Sequence, residues 1–258
     1  HMTATIHASS SRKIYLLSDF HLGAPNYTAS LEREKKVVSF LQSIEENAAA
    51  VFIVGDIFDF WFEYDHVVPK GYVRLLGQIA KLTDKGIPVH VFTGNHDLWM
   101  RHYFEEELGC KVYHGPQVFH FNDKACYIAH GDGLGPGDAG YKFIKKIFTN
   151  PICKWLFKWM HPDMGVGIAN YFSRKSRAKT GNADAQFLGE ENEWLICYSK
   201  EILQKQHFDY LIFGHRHFPL DLTIGNSHYI NLGDWIQNYT YASFDGEKME
   251  IDKWNKKY

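Results

Sequence analysis

Short apolar runs rich in β-branched residues recur along the chain. They are Ile14–Leu17, Val51–Val54, Val89–Phe92, Cys126–Ala129 and Tyr210–Phe213, then His228–Leu232, Tyr241–Phe244 and Met249–Lys253. Each is too short for a helix, so each reads as a buried strand. Between the early runs the apolar spacing changes to three and four. Leu31, Val37, Val38, Leu41 and Ile44 mark one helix, with Ser30 as its predicted N-cap. Tyr72, Val73, Leu76, Ile79 and Leu82 mark a second, which ends at Gly86-Ile87-Pro88. The order βαβαβ followed by mostly β predicts an α/β protein built around layered sheets.

Residues 141–206 break this rhythm and read as consecutive helices without strands, punctuated by Pro151, Pro162, Gly165 and Gly167. The pattern predicts a core formed by residues 12–140 and 207–258, with a helical insertion, or lid, at 141–206.

Charge sharpens that division. The formal net charge is only −2, yet between Tyr141 and Lys179 nine basic residues face Asp163 alone. Such a concentration predicts contact with an anionic partner. Bases and aromatics interleave there: Tyr141, Lys142, Phe143, Lys145, Lys146 and Phe148, then Trp155, Phe157, Lys158 and Trp159, then Tyr171 and Phe172. Taken singly, these aromatics are expected to fill the lid's own interior. Taken together, the segment resembles an interfacial helix that rests on an anionic membrane and shelters acyl chains. No nucleic-acid-binding fold is legible, so nucleic acid is not expected as a partner. No apolar stretch approaches the roughly 20 residues of a membrane span. No N-terminal stretch reads as a signal peptide, and Cys110, Cys126, Cys153 and Cys197 form no Cys-x-x-Cys pair. The expectation is a cytoplasmic protein.

The chemistry lies at the strand ends. The first run stops at Asp19-Phe20-His21, the second at Gly55-Asp56-Ile57-Phe58-Asp59 and the third at Gly94-Asn95-His96-Asp97. The fourth stops at His130-Gly131-Asp132 and the fifth at Gly214-His215-Arg216-His217. One such tip alone is an ordinary turn. Five in order pool Asp19, His21, Asp56, Asn95, His130, His215 and His217 at the carboxyl ends of strands, where open α/β sheets bind ligands. Carboxylate, imidazole and amide donors without thiolate suit two divalent cations, Mn²⁺, Fe²⁺ or Zn²⁺, and argue against a structural zinc. Asp19 with His21, and His215 with His217, are expected to share a face if each tip stays extended. Asp56 is the candidate to lie between two ions about 3.5–4 Å apart, the spacing that clamps attacking and leaving oxygens in phosphoryl transfer.

In these five motifs the chain closely resembles the calcineurin-like metallophosphoesterases, whose signature runs D-x-H, G-D-x-x-D, G-N-H-D, H-G-D and G-H-x-H. The resemblance implies a β-sandwich flanked by helices and a dinuclear centre, with Mn²⁺ as the expected ion. One ion would be held by Asp19, His21, Asp56 and His217, and the other by Asp56, Asn95, His130 and His215. It also assigns catalysis to Asp56 and His96, the histidine stabilising developing charge or protonating the leaving group.

A second layer of similarity, in His130-Gly131-Asp132 and Asp138-Ala139-Gly140-Tyr141 followed by a helical insertion, points to pyrophosphatases of lipid A biosynthesis. That likeness implies a nucleotide-activated glycolipid substrate and peripheral association with the inner face of the inner membrane. Its implied substrate contacts are Asn95, His96, Asp138, Tyr141, Ser173, Arg174, Ser176 and Arg177. That group has arginine after Gly-Asn where this chain has His96, the residue of the wider family. A soluble nucleotide pyrophosphate or phosphodiester is the alternative substrate, and a non-catalytic membrane scaffold is the alternative of another class.

Overall fold

The computed structural model describes residues 5–135, 142, 145–146, 149–171, 173 and 186–256. Every apolar run read from the sequence lies within a strand. The strands are β1 (Thr5–Ile6), β2 (Lys13–Leu17), β3 (Ala48–Val54), β4 (Val89–Phe92), β5 (Lys111–Tyr113), β6 (Gln117–Phe121), β7 (Lys124–Ala129), β8 (Tyr210–Phe213), β9 (Pro219–Ile224), β10 (Ser227–Leu232), β11 (Thr240–Phe244) and β12 (Met249–Lys253). Four of them, β1, β5, β6 and β9, escape the pattern. Two are short, and β9 opens on proline and leaves alternate residues exposed.

Helix α1 (Tyr27–Ser43) is capped by Asn26, whose side chain accepts from the Ala29 amide at 3.0 Å, and not by Ser30. Ser30 lies inside the first turn, and its hydroxyl accepts from the Gly23 amide instead, pinning the loop after β2. Helix α2 (Val73–Asp84) buries Leu76, Ile79 and Leu82, as the spacing predicts, with Leu75 beside them, whereas Val73 is exposed and Tyr72 precedes the helix as its N-cap residue. Three further helices are α3 (Tyr103–Glu106), α4 (Pro151–Lys158) and α5 (Trp194–Leu203), and residues 162–171 are also helical.

The strands form two six-stranded sheets, ordered β1-β6-β7-β8-β10-β9 and β12-β11-β2-β3-β4-β5. Between them sits one apolar core, with Ile14, Leu16, Phe52, Val54 and Phe92 from one sheet meeting Phe119, Phe121, Ile128, Ile212 and Ile230 from the other. The odd-facing residues of β2 and β3, Tyr15, Leu17, Val51 and Ile53, pack outward beneath Val37, Phe40 and Leu41 of α1 and Leu75 and Ile79 of α2. On the opposite outer face α5 lays Leu195 and Ile196 over Leu211, Phe213 and Tyr229. Strand, sheet and helix periodicities therefore agree on a four-layer α/β/β/α arrangement.

Strands β2, β3, β4 and β5 run parallel, as do β7, β8 and β10, and the registers bring their carboxyl ends level. The β6–β7, β9–β10 and β11–β12 hairpins turn at the opposite end. There the Asn122 amide donates to the carbonyls of Ala8 and Gly246, tying two of those turns together.

Candidate metal centre

All five polar tips meet at the carboxyl end of the two sheets. Asp19, His21 and His217 bring ligating atoms within 4.8 Å of one another, and so do Asp56, His130 and His215. Asp56 joins the two groups: its Oδ2 lies 3.6 Å from His21 Nε2 and 3.3 Å from His130 Nε2. Asn95 Oδ1 completes the second group, 3.3 Å from His130 Nε2 and 3.1 Å from His215 Nδ1. His217 Nε2 lies 3.2 Å from His21 Nε2 and 3.4 Å from Asp19 Oδ1.

The local backbone is not what the pleat argument expects. Asp19, His21, Asp56 and His215 all have positive φ, between 45° and 65°. The first, second and fifth tips are therefore left-handed kinks and not extended strand ends. Such a conformation is unfavourable for residues with a Cβ and persists where the surrounding structure imposes it. Here the imposing contacts are visible: the Asp19 amide donates to Gly55 O, the His21 amide to Asp56 O and the His215 amide to Asp19 Oδ2. Two glycines leave room for the kinks. A Cβ on Gly94 would collide with the Asp56 carboxylate, and one on Gly55 would collide with the His130 ring.

A ring of contacts orients the donors. His130 Nδ1 lies 2.8 Å from the Val54 carbonyl, so that nitrogen donates and Nε2 faces Asp56. Asp97 caps the turn of its own motif: it accepts from the amides of Gly94 and Ile57. Burial, and after it the Asp56 carboxylate, push Asp97 up to about 7. Asp59 Oδ1 lies 3.7 Å from His21 Nδ1 and 3.6 Å from His96 Nδ1. Asp234 was missed by the sequence reading; its Oδ2 lies 3.5 Å from His217 Nδ1 and its Oδ1 accepts from the amides of Gln237 and Asn238. The signal for it was present, since Gly233-Asp234 ends β10 in the same manner as the other tips.

The electrostatics are those of a site built for added positive charge. Burial works to raise Asp19, but the His21 and His217 imidazoles outweigh it and hold the carboxyl well below its ordinary range. Asp56 is likewise held down against its burial, chiefly by His130. Burial, and after it His130, push His215 down to about 4. Asp19 Oδ1 is buried with no hydrogen-bond partner. An orphaned carboxylate oxygen there, among nitrogen and oxygen donors without a thiolate, fits divalent cations.

The remaining site residues divide. His96 stands beside the first group, its ring 4.9 Å from that of His21 and its amide donating to Asp56 Oδ1 at 2.9 Å. Its Nδ1 lies 3.0 Å from Asp59 O and 3.1 Å from Ser173 Oγ, which brings one residue of the 141–206 segment to the site. Asp138, Tyr141, Arg174, Ser176 and Arg177 lie outside the described residues.

In the 141–206 segment, Phe157 turns inward onto Phe60, Phe62 and Trp99, and Lys158 pairs with Asp65 at 2.5 Å. Its neighbours do not fill an interior as expected: Ile152, Trp155, Leu156 and Trp159 are 57–75% exposed, and α4 buries no residue at all. A helix of two turns has one face to turn inward, and here Phe157 lies on it, half-buried. No helix among the described residues is long and apolar enough to cross a membrane.

Comparison with known proteins agrees with this geometry. The model of the calcineurin-like phosphoesterase domain matches residues 12–219. A protein of Porphyromonas gingivalis named UDP-2,3-diacylglucosamine hydrolase is 37% identical over 254 residues, 93% of this chain and 97% of that one. Proteins of the same name from Yersinia enterocolitica and Actinobacillus succinogenes are 26% and 28% identical, covering 92% and 86% of this chain and 97% and 92% of theirs. Five polar tips converge on a pair of donor clusters in a chain that this domain spans for most of its length: it belongs to the calcineurin-like phosphoesterase family.

Proposed function

We propose that the chain is a divalent-metal-dependent hydrolase that cleaves the pyrophosphate bond of UDP-2,3-diacylglucosamine, giving UMP and 2,3-diacylglucosamine 1-phosphate. The observation that carries the chemistry is the pair of donor clusters sharing one oxygen of Asp56. The substrate rests on the relatives' name, held across nearly the full length of both chains.

In this reading Asp19, His21, Asp56 and His217 hold one ion and Asp56, Asn95, His130 and His215 the other, with Mn²⁺ as the proposed metal. When bound, the ions supply Lewis acidity toward phosphate oxygens and acidify water. The chain's own residues do the rest. The neighbouring imidazoles keep the buried carboxylates of Asp19 and Asp56 ionised and ready. His96, its Nδ1 bonded to the Asp59 carbonyl, presents its other face to the phosphate and stabilises charge as the anhydride P–O bond breaks and the water oxygen bonds to phosphorus.

The proposal includes the lid, residues 141–206, as the part that receives the acyl chains. Exposed Ile152, Trp155, Leu156 and Trp159, in a segment with a large excess of lysine and arginine, support peripheral contact with an anionic membrane on the cytoplasmic side. A soluble nucleotide pyrophosphate is the second reading, favoured by His96 standing where the glycolipid pyrophosphatases carry arginine. Kinetics on the diacylated substrate in mixed micelles, beside the same UDP-sugar without acyl chains, test the choice. Turnover that collapses with the acyl chains supports the glycolipid; equal turnover on both overturns it.

A further inference from the structure

Between the two ligand histidines of the last tip lies Arg216, and its surroundings are unlike those of a solvated arginine. It is only 1% exposed, and Glu193, its partner, is fully buried. Nε donates to Glu193 Oε2 at 3.1 Å and Nη2 to Oε1 at 3.0 Å, a forked pair that fixes the guanidinium plane. Nη2 also donates to the Gln186 carbonyl at 2.8 Å, and the group stacks over Trp194, 4.7 Å from its ring centre, and Phe218. Glu193 in turn accepts from the Leu188 amide at 2.9 Å.

The backbone that carries Arg216 is tightly wound. His215 has a φ of 65°, the Arg216 amide reaches back to Gly214 O at 2.7 Å, and the Phe218 amide reaches back to Arg216 O at 2.6 Å. His215 then points to the Asp56–His130 group and His217 to the Asp19–His21 group. Two adjacent side chains on either side of one residue serve different clusters, so the side chain between them must be held from the other direction. A buried charge pair is a poor source of stability, because desolvation offsets its attraction. It is a good source of fixed direction.

We propose that Arg216 is a positioning residue for the metal centre: its forked pair with Glu193 fixes the twist that sends His215 and His217 to separate ions, and anchors the return from the lid, residues 186–193, to that twist. This rests on the reading of the seven donors as a two-metal site.

The test is Mn²⁺ binding to the full-length, metal-stripped chain, followed by the resonance signal of the free ion, with unfolding by urea measured in parallel. Replacing both partners, Arg216→Met with Glu193→Met, removes the charges together and keeps the volume, so the variant is expected to fold with nearly unchanged stability. Its Mn²⁺ affinity should fall about tenfold, in the range seen when groups that orient metal ligands are lost. Arg216→Lys, which keeps the charge and loses the fork, should lie between it and the unaltered chain. With diacylated substrate, kcat should fall while KM holds.

A folded double variant that binds Mn²⁺ as the unaltered chain does overturns the proposal. Should the double variant not fold, Glu193→Gln decides: weaker Mn²⁺ binding supports the role and unchanged binding overturns it. An unaltered chain that takes up no Mn²⁺ sinks the two-metal reading itself, a result separate from either.

Discussion

The two sides of the metal centre are built on opposite terms. On the core side Asp19, His21, Asp56 and His130 are nearly or wholly enclosed, and the first three are held on kinked backbone. Asp56 is 1% exposed and His130 3%. On the lid side α4 touches the core through Phe157 and Lys158 and turns its tryptophans to solvent. The first arrangement suits a site that must present fixed charges with no rearrangement, since preorganised groups lose nothing at the moment of reaction. The second suits a partner that brings its own apolar surface. What the contrast teaches is where each kind of substitution should register: core changes in the chemistry, lid changes in access to lipid.

The largest effect should come from the shared carboxylate. Asp56→Ala is expected to lower kcat by more than about a thousand-fold, beyond the loss of one preorganised donor, because both clusters lose a ligand together. Circular dichroism should show the fold retained. Turnover within tenfold of the unaltered chain would break the contrast at its strongest point.

A second core prediction concerns pH. His90 stacks on Phe52 at 4.5 Å, and its Nδ1 meets the Tyr113 hydroxyl at 3.0 Å while Nε2 is buried without a partner. Burial, with Lys111 adding to it, pushes it down to about 4. An unfolded chain protonates this histidine near 6.5 and the folded one resists, so the contribution is complete above pH 6.5 and is lost as pH falls toward 4. The loss should reach on the order of 3 kcal/mol at pH 4. Urea unfolding at pH 7 and pH 4.5, with His90→Phe beside the unaltered chain, isolates it. The variant should lose distinctly less stability on acidification, and parallel losses would refute the assignment.

The smallest effect should come from the lid surface. Trp155→Ser with Trp159→Ser should leave urea stability within about 0.5 kcal/mol, as exposed positions do. Binding to phosphatidylglycerol vesicles, read by cosedimentation, should weaken about tenfold, and the rate on a deacylated substrate should not move. A large stability loss would show that these rings belong to a packed interior after all.

Much of the core was legible because each tip announces itself twice, by the end of an apolar run and by the donor that follows. Ile14–Leu17 before Asp19 and Tyr210–Phe213 before His215 are of this kind, and Leu232 before Asp234 would have been found by the same rule. What the sequence conceals is the turn by which the donors converge. Nothing in Asp19-Phe20-His21 distinguishes an extended tip from a left-handed one, because the φ values there are imposed by contacts with Gly55 and Asp56, some 35 residues away in the chain. The Arg216–Glu193 pair is hidden for the same reason: its partners are separated by the whole of α5 and the whole of β8. In α1 the spacing located the helix while its cap was misplaced, since Asn26 and Ser30 are equally good cap residues and only the Gly23 amide decides which is otherwise engaged.

The hairpin turns at Asn122, Gly225 and Gly246 sit at the pole opposite the donors. Material grafted there, whether a fluorescent reporter, a surface tether or a second protein, would be carried away from the donor clusters. The sandwich thus comes with a built-in handle, and the reactive pole can be displayed outward from any support the handle is fixed to.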